Sequence, residues 1–250
     1  MLSSFGMFGR RLILGAVALT VLSAARRGLD VVTGLPRDSA LLEATRFLDV
    51  VVEGTLPTWY SSGLLLIAAA LVWHVLRIEK SRGTRRLWYL RGLVAGFVYL
   101  SIDETAAIHE QFTNIVQGAV EVRSSALQYS WVLVAIPLVV AAGLAYGNWI
   151  RRLPTNVRSL VIVGGIVFIM GGIGLEMASS LLQFGLGSEQ LAALAGHGEE
   201  LLEMLGVIVF IEAMMRYLAD DFAWDGTLRF ALRGPADVRT DHDDLPMISR

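Results

Sequence analysis

The chain has 250 residues, 54% of them hydrophobic, a formal net charge of -2 and no cysteine. The near-neutral balance gives no reason to expect a nucleic-acid partner, and the missing thiols exclude disulfides, thiolate metal ligands and cysteine nucleophiles. Mean hydropathy is +0.58, and the apolar excess gathers into runs of about 20 residues, so the expected class is all-α, a polytopic membrane helix bundle.

The chain opens on a short tail ending in Arg10-Arg11, followed by apolar Leu12–Ala25 and then Arg26-Arg27. A basic start, a short apolar core and Ser23-Ala24-Ala25 fit a cleavable signal peptide over residues 1–25. A slightly short first transmembrane helix fits equally in composition and is the expected reading. Pro36 then breaks the chain, and Asp38 or Ser39 can cap a new helix. Leu41, Ala44, Phe47, Leu48 and Val51 recur at helical spacing, with Glu43, Arg46, Asp49 and Glu53 largely between them. The pattern predicts one amphipathic helix over about 38–53, lying at the interface as a connector or a lid.

Spanning runs follow at about 57–77, 87–108, 129–150, 157–178 and 200–218, making about six transmembrane helices in a domain over residues 1–218. Pro137 falls inside the fourth, and Gly164-Gly165 and Gly171-Gly172-Ile173-Gly174 in the fifth suit close helix packing. Arg77, Lys80, Arg82, Arg85, Arg86 and Arg91 surround the junction of the second and third helices, and Arg151, Arg152 and Arg158 the junction of the fourth and fifth. The positive-inside rule makes those loops and both termini cytoplasmic, in a bacterial inner membrane. Arg26, Arg27, Arg37 and Arg46 on the opposite side weaken the count. Residues 219–250 are polar, with Asp241-His242-Asp243-Asp244, and read as a cytoplasmic tail.

Ionisable residues inside apolar helices are costly and so point to function. Asp103, Glu104, His109 and Glu110 close the third run; Glu176 ends the fifth; His197, Glu199, Glu200 and Glu203 open the sixth. At ~1.5 Å per residue, Asp103, Glu104 and Glu203 lie deeper, and His109, Glu110, Glu176 and Glu200 nearer the outer interface. On a regular helix Asp103 and Glu110 share a face, while His109 and Glu104 flank it about 100° away on either side. Glu199 and Glu200 have an alternative reading as acids at a helix N-terminus. Glu212 is expected to pair with Arg216 four residues on.

Carboxylates with histidine suit a divalent metal such as Zn, Fe or Mn. The expected ligands are Asp103, Glu104, His109, Glu176, His197 and Glu200, with Glu110 or Glu203 as catalytic base. The di-iron Glu-x-x-His spacing and the HExxH motif are both absent. Three functions compete: a metal-dependent lipid-active hydrolase in the bilayer, a proton- or cation-coupled transporter, and an accessory subunit held by other membrane subunits.

Overall fold

In a bilayer, a chain of this hydropathy satisfies its backbone polar groups internally, and helices do so within one segment. The computed structural model describes residues 6–34, 40–52, 54–85, 87–119 and 124–222. Every regular element among them is helical: α1 (Met7–Thr33), α2 (Ala40–Thr45), α3 (Leu56–Ser81), α4 (Trp88–Ala106), α5 (Ile108–Ala119), α6 (Val132–Arg152), α7 (Thr155–Ile169), α8 (Glu176–Ser180) and α9 (Glu189–Phe222).

Among the described residues, four helical runs are long and apolar enough to cross a membrane: α1, α3, α6 and the continuous run Thr155–Gly185. That associates the chain with a bilayer. Six were expected. The other two, α4 and α9, are 19 and 34 residues long but carry Arg91, Asp103 and Glu104, or Glu199, Glu200, Glu203, Glu212 and Arg216.

α9 is the axis of the bundle. Met204, Val207, Ile208, Phe210, Ile211, Ala213 and Met214 on it are all buried, and it packs against α1, α3, α7 and α8. A helix covered on all sides has no lipid-facing stripe to advertise it. α6 is the reverse, with Val132 its single buried residue.

Gly164, Gly171 and Gly172 of the fifth run serve close packing on α9, as expected, whereas a Cβ on Gly165 would meet nothing within 4 Å and one on Gly174 only Met170 of its own run. A Cβ on Gly206 would stand 2.8 Å from the Gly164 carbonyl oxygen, and one on Gly164 equally 2.8 Å from the Gly206 carbonyl oxygen. The backbones of α7 and α9 therefore touch where neither has a side chain. Glu212 also meets its predicted partner: Arg216 Nε donates to Glu212 Oε1 at 3.0 Å, and Gly6 N–H reaches the same oxygen at 3.3 Å.

Three expectations change. The first helix continues through Arg26-Arg27 to Thr33, because Arg26 is ion-paired with Asp49 and no longer marks a helix end. The amphipathic helix expected over 38–53 is only Ala40–Thr45, followed by a 3-10 turn at Arg46–Leu48; from Asp49 the chain turns inward, and Val50 is buried. The last helix starts at Glu189, not near residue 200. Glu199 and Glu200 thus lie about three turns inside it, and the N-terminal dipole reading of them is withdrawn. Asp38, Ser39, Glu53, Arg86, Arg123 and the tail from residue 223 lie outside the described residues.

Candidate functional site

The Asp103–Glu110 stretch is not one helix. α4 stops at Ala106, Ala107 takes the left-handed conformation (φ 51°, ψ 41°), and α5 starts at Ile108. A non-glycine residue there is strained by roughly 1–2 kcal/mol. Asp103 offsets the strain: its Oδ1 accepts the His109 backbone N–H at 2.8 Å, one of the amides a new helix leaves unpaired, and its Oδ2 meets His109 Nδ1 at 3.1 Å. The break re-aims His109 and Glu110, so the angular separation computed for a regular helix does not apply.

Downstream, the run after α7 widens into π-helical turns at Met170–Leu175 and Leu181–Gly185. Such turns are rare and frequent at functional sites. Glu176 follows the first of them. Trp131 Nε1 donates to Glu176 Oε1 at 3.4 Å, and the Trp131 and His109 rings lie 5.4 Å apart. Glu176 and Glu199 face the same cavity. Opposite them, Gly172 has no side chain because one would overlap Glu203 Oε1.

These groups meet in one cavity of about 640 Å³. Asp103, Glu104, His109, Glu110, Glu176, Glu199, Glu200 and Glu203 all line it, with no lysine or arginine among the described lining residues. Each helix contributes one stripe at three- or four-residue spacing: Tyr99, Leu100, Asp103 and Glu104 from α4; Trp131, Val134, Ala135, Leu138 and Val139 along α6; Phe168, Ile169, Gly172, Ile173 and Glu176 along the α7–α8 run; Gly196, Glu199, Glu200 and Glu203 from α9. Val50, Val51 and Thr58 close one side.

Among the expected ligands, His197 is placed elsewhere. Its Nδ1 contacts the Ala193 carbonyl at 2.7 Å, its Nε2 contacts Ser23 Oγ at 3.0 Å, and Ser23 Oγ accepts Val50 N–H at 2.9 Å. With both ring nitrogens engaged at 5% exposure, His197 ties α1, the segment at Val50 and α9 together. Its neighbour Gly196, not His197, faces the cavity.

Trp131 and Tyr129, whose hydroxyl donates to Gln183 Oε1 at 2.7 Å, are not among the residues expected at the site. Burial raises the Tyr129 phenol above its usual value, and the charges of Glu176, Glu199 and Glu110 add to the shift. Its hydroxyl therefore remains a donor. Neither aromatic has a signal in the sequence, since both precede an apolar run where interfacial aromatics are ordinary.

A family model described as a domain of unknown function, DUF8692, matches residues 11–218. The chain belongs to this family. The match takes in every residue lining the cavity of this DUF8692 chain. No curated protein and no solved structure matches it.

Two observations bear on a metal. Among the described residues, no three His, Asp or Glu side chains stand close enough to hold an ion as placed. The donor set does fit one: it is oxygen-rich with a single imidazole. Asp103 on His109 Nδ1 is also the orientation device commonly found behind a metal-ligating or proton-accepting histidine.

Proposed function

We propose that this chain is an integral membrane protein whose acidic cavity binds a divalent cation and acts as a metal-dependent hydrolase on a membrane lipid. The observation that carries this reading is the convergence of seven carboxylates and His109 on one cavity. Such a set at membrane depth is stable only with protons or cations among its members.

In this reading α4 and α9 also cross, for six spans. At ~1.5 Å per residue α4 covers roughly 28 Å, about the hydrocarbon thickness. Their ionisable groups turn toward the cavity and away from lipid. Both termini are cytoplasmic and the cavity faces outward, in a bacterial inner membrane. The pairing of Arg26 with Asp49 supports that orientation, because it neutralises one of the arginines that count against it.

Glu176, Glu199, Glu200 and Glu203 would hold the cation, which supplies Lewis acidity and an activated water. Asp103 fixes His109 at two points, so the imidazole is the proton acceptor best held in place, with Glu110 beside it. Glu203 has its position defined by Gly172 on the opposing helix. The transport reading needs an acid on the inner half, and Glu212 there is already engaged by Arg216 and Gly6.

Elemental analysis of the purified protein, alone and as the Glu176→Gln, Glu203→Gln double variant, tests the reading. A near-stoichiometric divalent metal lost in the double variant is expected. Equal metal content in both, with turnover retained, overturns it.

A further inference from the structure

Between the 3-10 turn at Arg46–Leu48 and the start of α3, the described residues form no helix, yet their contacts with the bundle are specific. Asp49 and Val50 are buried, and so is Thr58 in the first turn of α3. Asp49 is ion-paired with Arg26 of α1, and its Oδ1 accepts the Val51 backbone N–H at 3.2 Å. Thr58 Oγ1 donates to the Val52 carbonyl at 3.4 Å. Val50 and Val51 form part of the cavity wall, as do Thr58 and Gly196.

The innermost tie runs through His197. Its Nδ1 faces the Ala193 carbonyl at 2.7 Å, so that nitrogen carries the hydrogen. In the neutral ring Nε2 then accepts the Ser23 hydroxyl at 3.0 Å, and Ser23 Oγ in turn accepts the Val50 N–H at 2.9 Å. Every donor in this chain points the same way, from the segment into α9. One residue before His197, Gly196 makes room for Val51: a Cβ there would stand 3.4 Å from both Val51 methyl carbons. The segment is thus seated on the turn of α9 that also presents Glu199 and Glu200 to the cavity.

Two features separate this wall from the others. The helices that line the cavity keep their backbone bonds within themselves. Asp49–Val52 is docked instead through the side chains of Ser23, Arg26 and Thr58. When such a contact parts, water takes over the released groups, so it opens before the helices do. Gly54 supplies a pivot on the α3 side: its φ is 73°, and a Cβ there would meet nothing within 4 Å. α1 and α3 are both long and apolar enough to cross a membrane, which puts the segment joining them at a water-facing end of the bundle.

We propose that Asp49–Val52 is a gate between the cavity and the water at that end. It is closed by the Ser23–His197 chain and the Arg26–Asp49 pair, it opens about Gly54, and it is the route by which water and dissolved cations reach the carboxylates. The proposal rests on the membrane placement given above, and it requires the cavity but no metal in it.

The chain has no cysteine, so introduced thiols report alone. Ser179 lines the cavity on the side of the gate, its hydroxyl bonded to the Ala192 carbonyl, one turn before Gly196, at 3.2 Å. Full-length Ser179→Cys protein in nanodiscs is treated with a small water-soluble maleimide, and the label at residue 179 is followed by mass spectrometry. Adding Ser23→Ala should speed labelling by about tenfold, the effect of roughly one lost hydrogen bond. Adding the pair Val51→Cys and Gly196→Cys, whose side chains stand within disulfide reach, allows the gate to be locked by oxidation. Labelling at residue 179 should then be at least about tenfold slower than in the same protein reduced and desalted. The locked and reduced forms share one sequence, so this comparison decides even where Ser23→Ala fails to fold. Equal labelling in the two forms overturns the gate and makes the segment a fixed wall. An unchanged rate in folded Ser23→Ala protein overturns the latch. A chelator is present throughout, so failure of the metal reading alters neither comparison.

Discussion

Asp103 holds His109 twice, through the backbone amide at 2.8 Å and through ring Nδ1 at 3.1 Å. One carboxylate thereby starts α5 and fixes the imidazole that faces the cavity. The two roles are separable by mutation. Asp103→Asn keeps an acceptor for the amide but removes the charge behind the ring. It should lower cation affinity or turnover about 10–100-fold with little change in melting temperature. Asp103→Ala should add a stability loss of about 1 kcal/mol from the missing helix start. Calorimetric cation titration beside thermal melts checks both.

Ala107 carries the left-handed turn between α4 and α5 (φ 51°) without being a glycine. Ala107→Gly relieves that strain and should stabilise the protein by about 1 kcal/mol, while Ala107→Val should destabilise it by more. Melting temperatures in one detergent give the order. A melting temperature lowered by the glycine would show that the turn is not strained.

His197 and Ser23 join three chain segments through a buried hydrogen-bond chain. His197→Ala should cost about 1–3 kcal/mol by stranding its buried partners, and leave metal stoichiometry unchanged. Elemental analysis of the variant is decisive, since loss of bound metal would restore His197 as a ligand.

Gly206 and Gly172 test packing and site positioning on the same helix pair. A Cβ at Gly206 would stand 2.6 Å from Phe168 N, a backbone atom that cannot step aside. Gly206→Ala should cost about 1–3 kcal/mol by forcing α7 and α9 apart. Gly172→Ala meets the end of the Glu203 side chain instead. It should shift that carboxylate and weaken cation binding more than it lowers the melting temperature. Equal stability losses in the two variants, with no change in binding for Gly172→Ala, would detach Glu203 from the site.

Much of the candidate site was legible in the chain. Glu176 stood out because it ends an otherwise apolar run, and Glu200 and Glu203 because their spacing puts them on one face of α9. Composition and hydropathy likewise determined an all-helical chain with segments fit to cross a bilayer, since apolar runs of that length have few other stable forms in lipid. The glycine cluster of the fifth run foretold a close helix approach, and the i+4 spacing foretold Glu212 with Arg216.

The tertiary structure alone decided the rest. The break at Ala107 depends on Asp103 reaching forward to an amide six residues on, which periodicity does not encode. The shortening of the 38–53 helix depends on Asp49 and Val50 being drawn inward to Arg26 and Ser23, partners more than twenty residues away. The separation of His197 from its neighbours depends on which face of α9 meets α1, a choice made by packing. Local sequence fixes which residues are able to share a face. Whether two faces meet is set by burial and by partners distant in the chain.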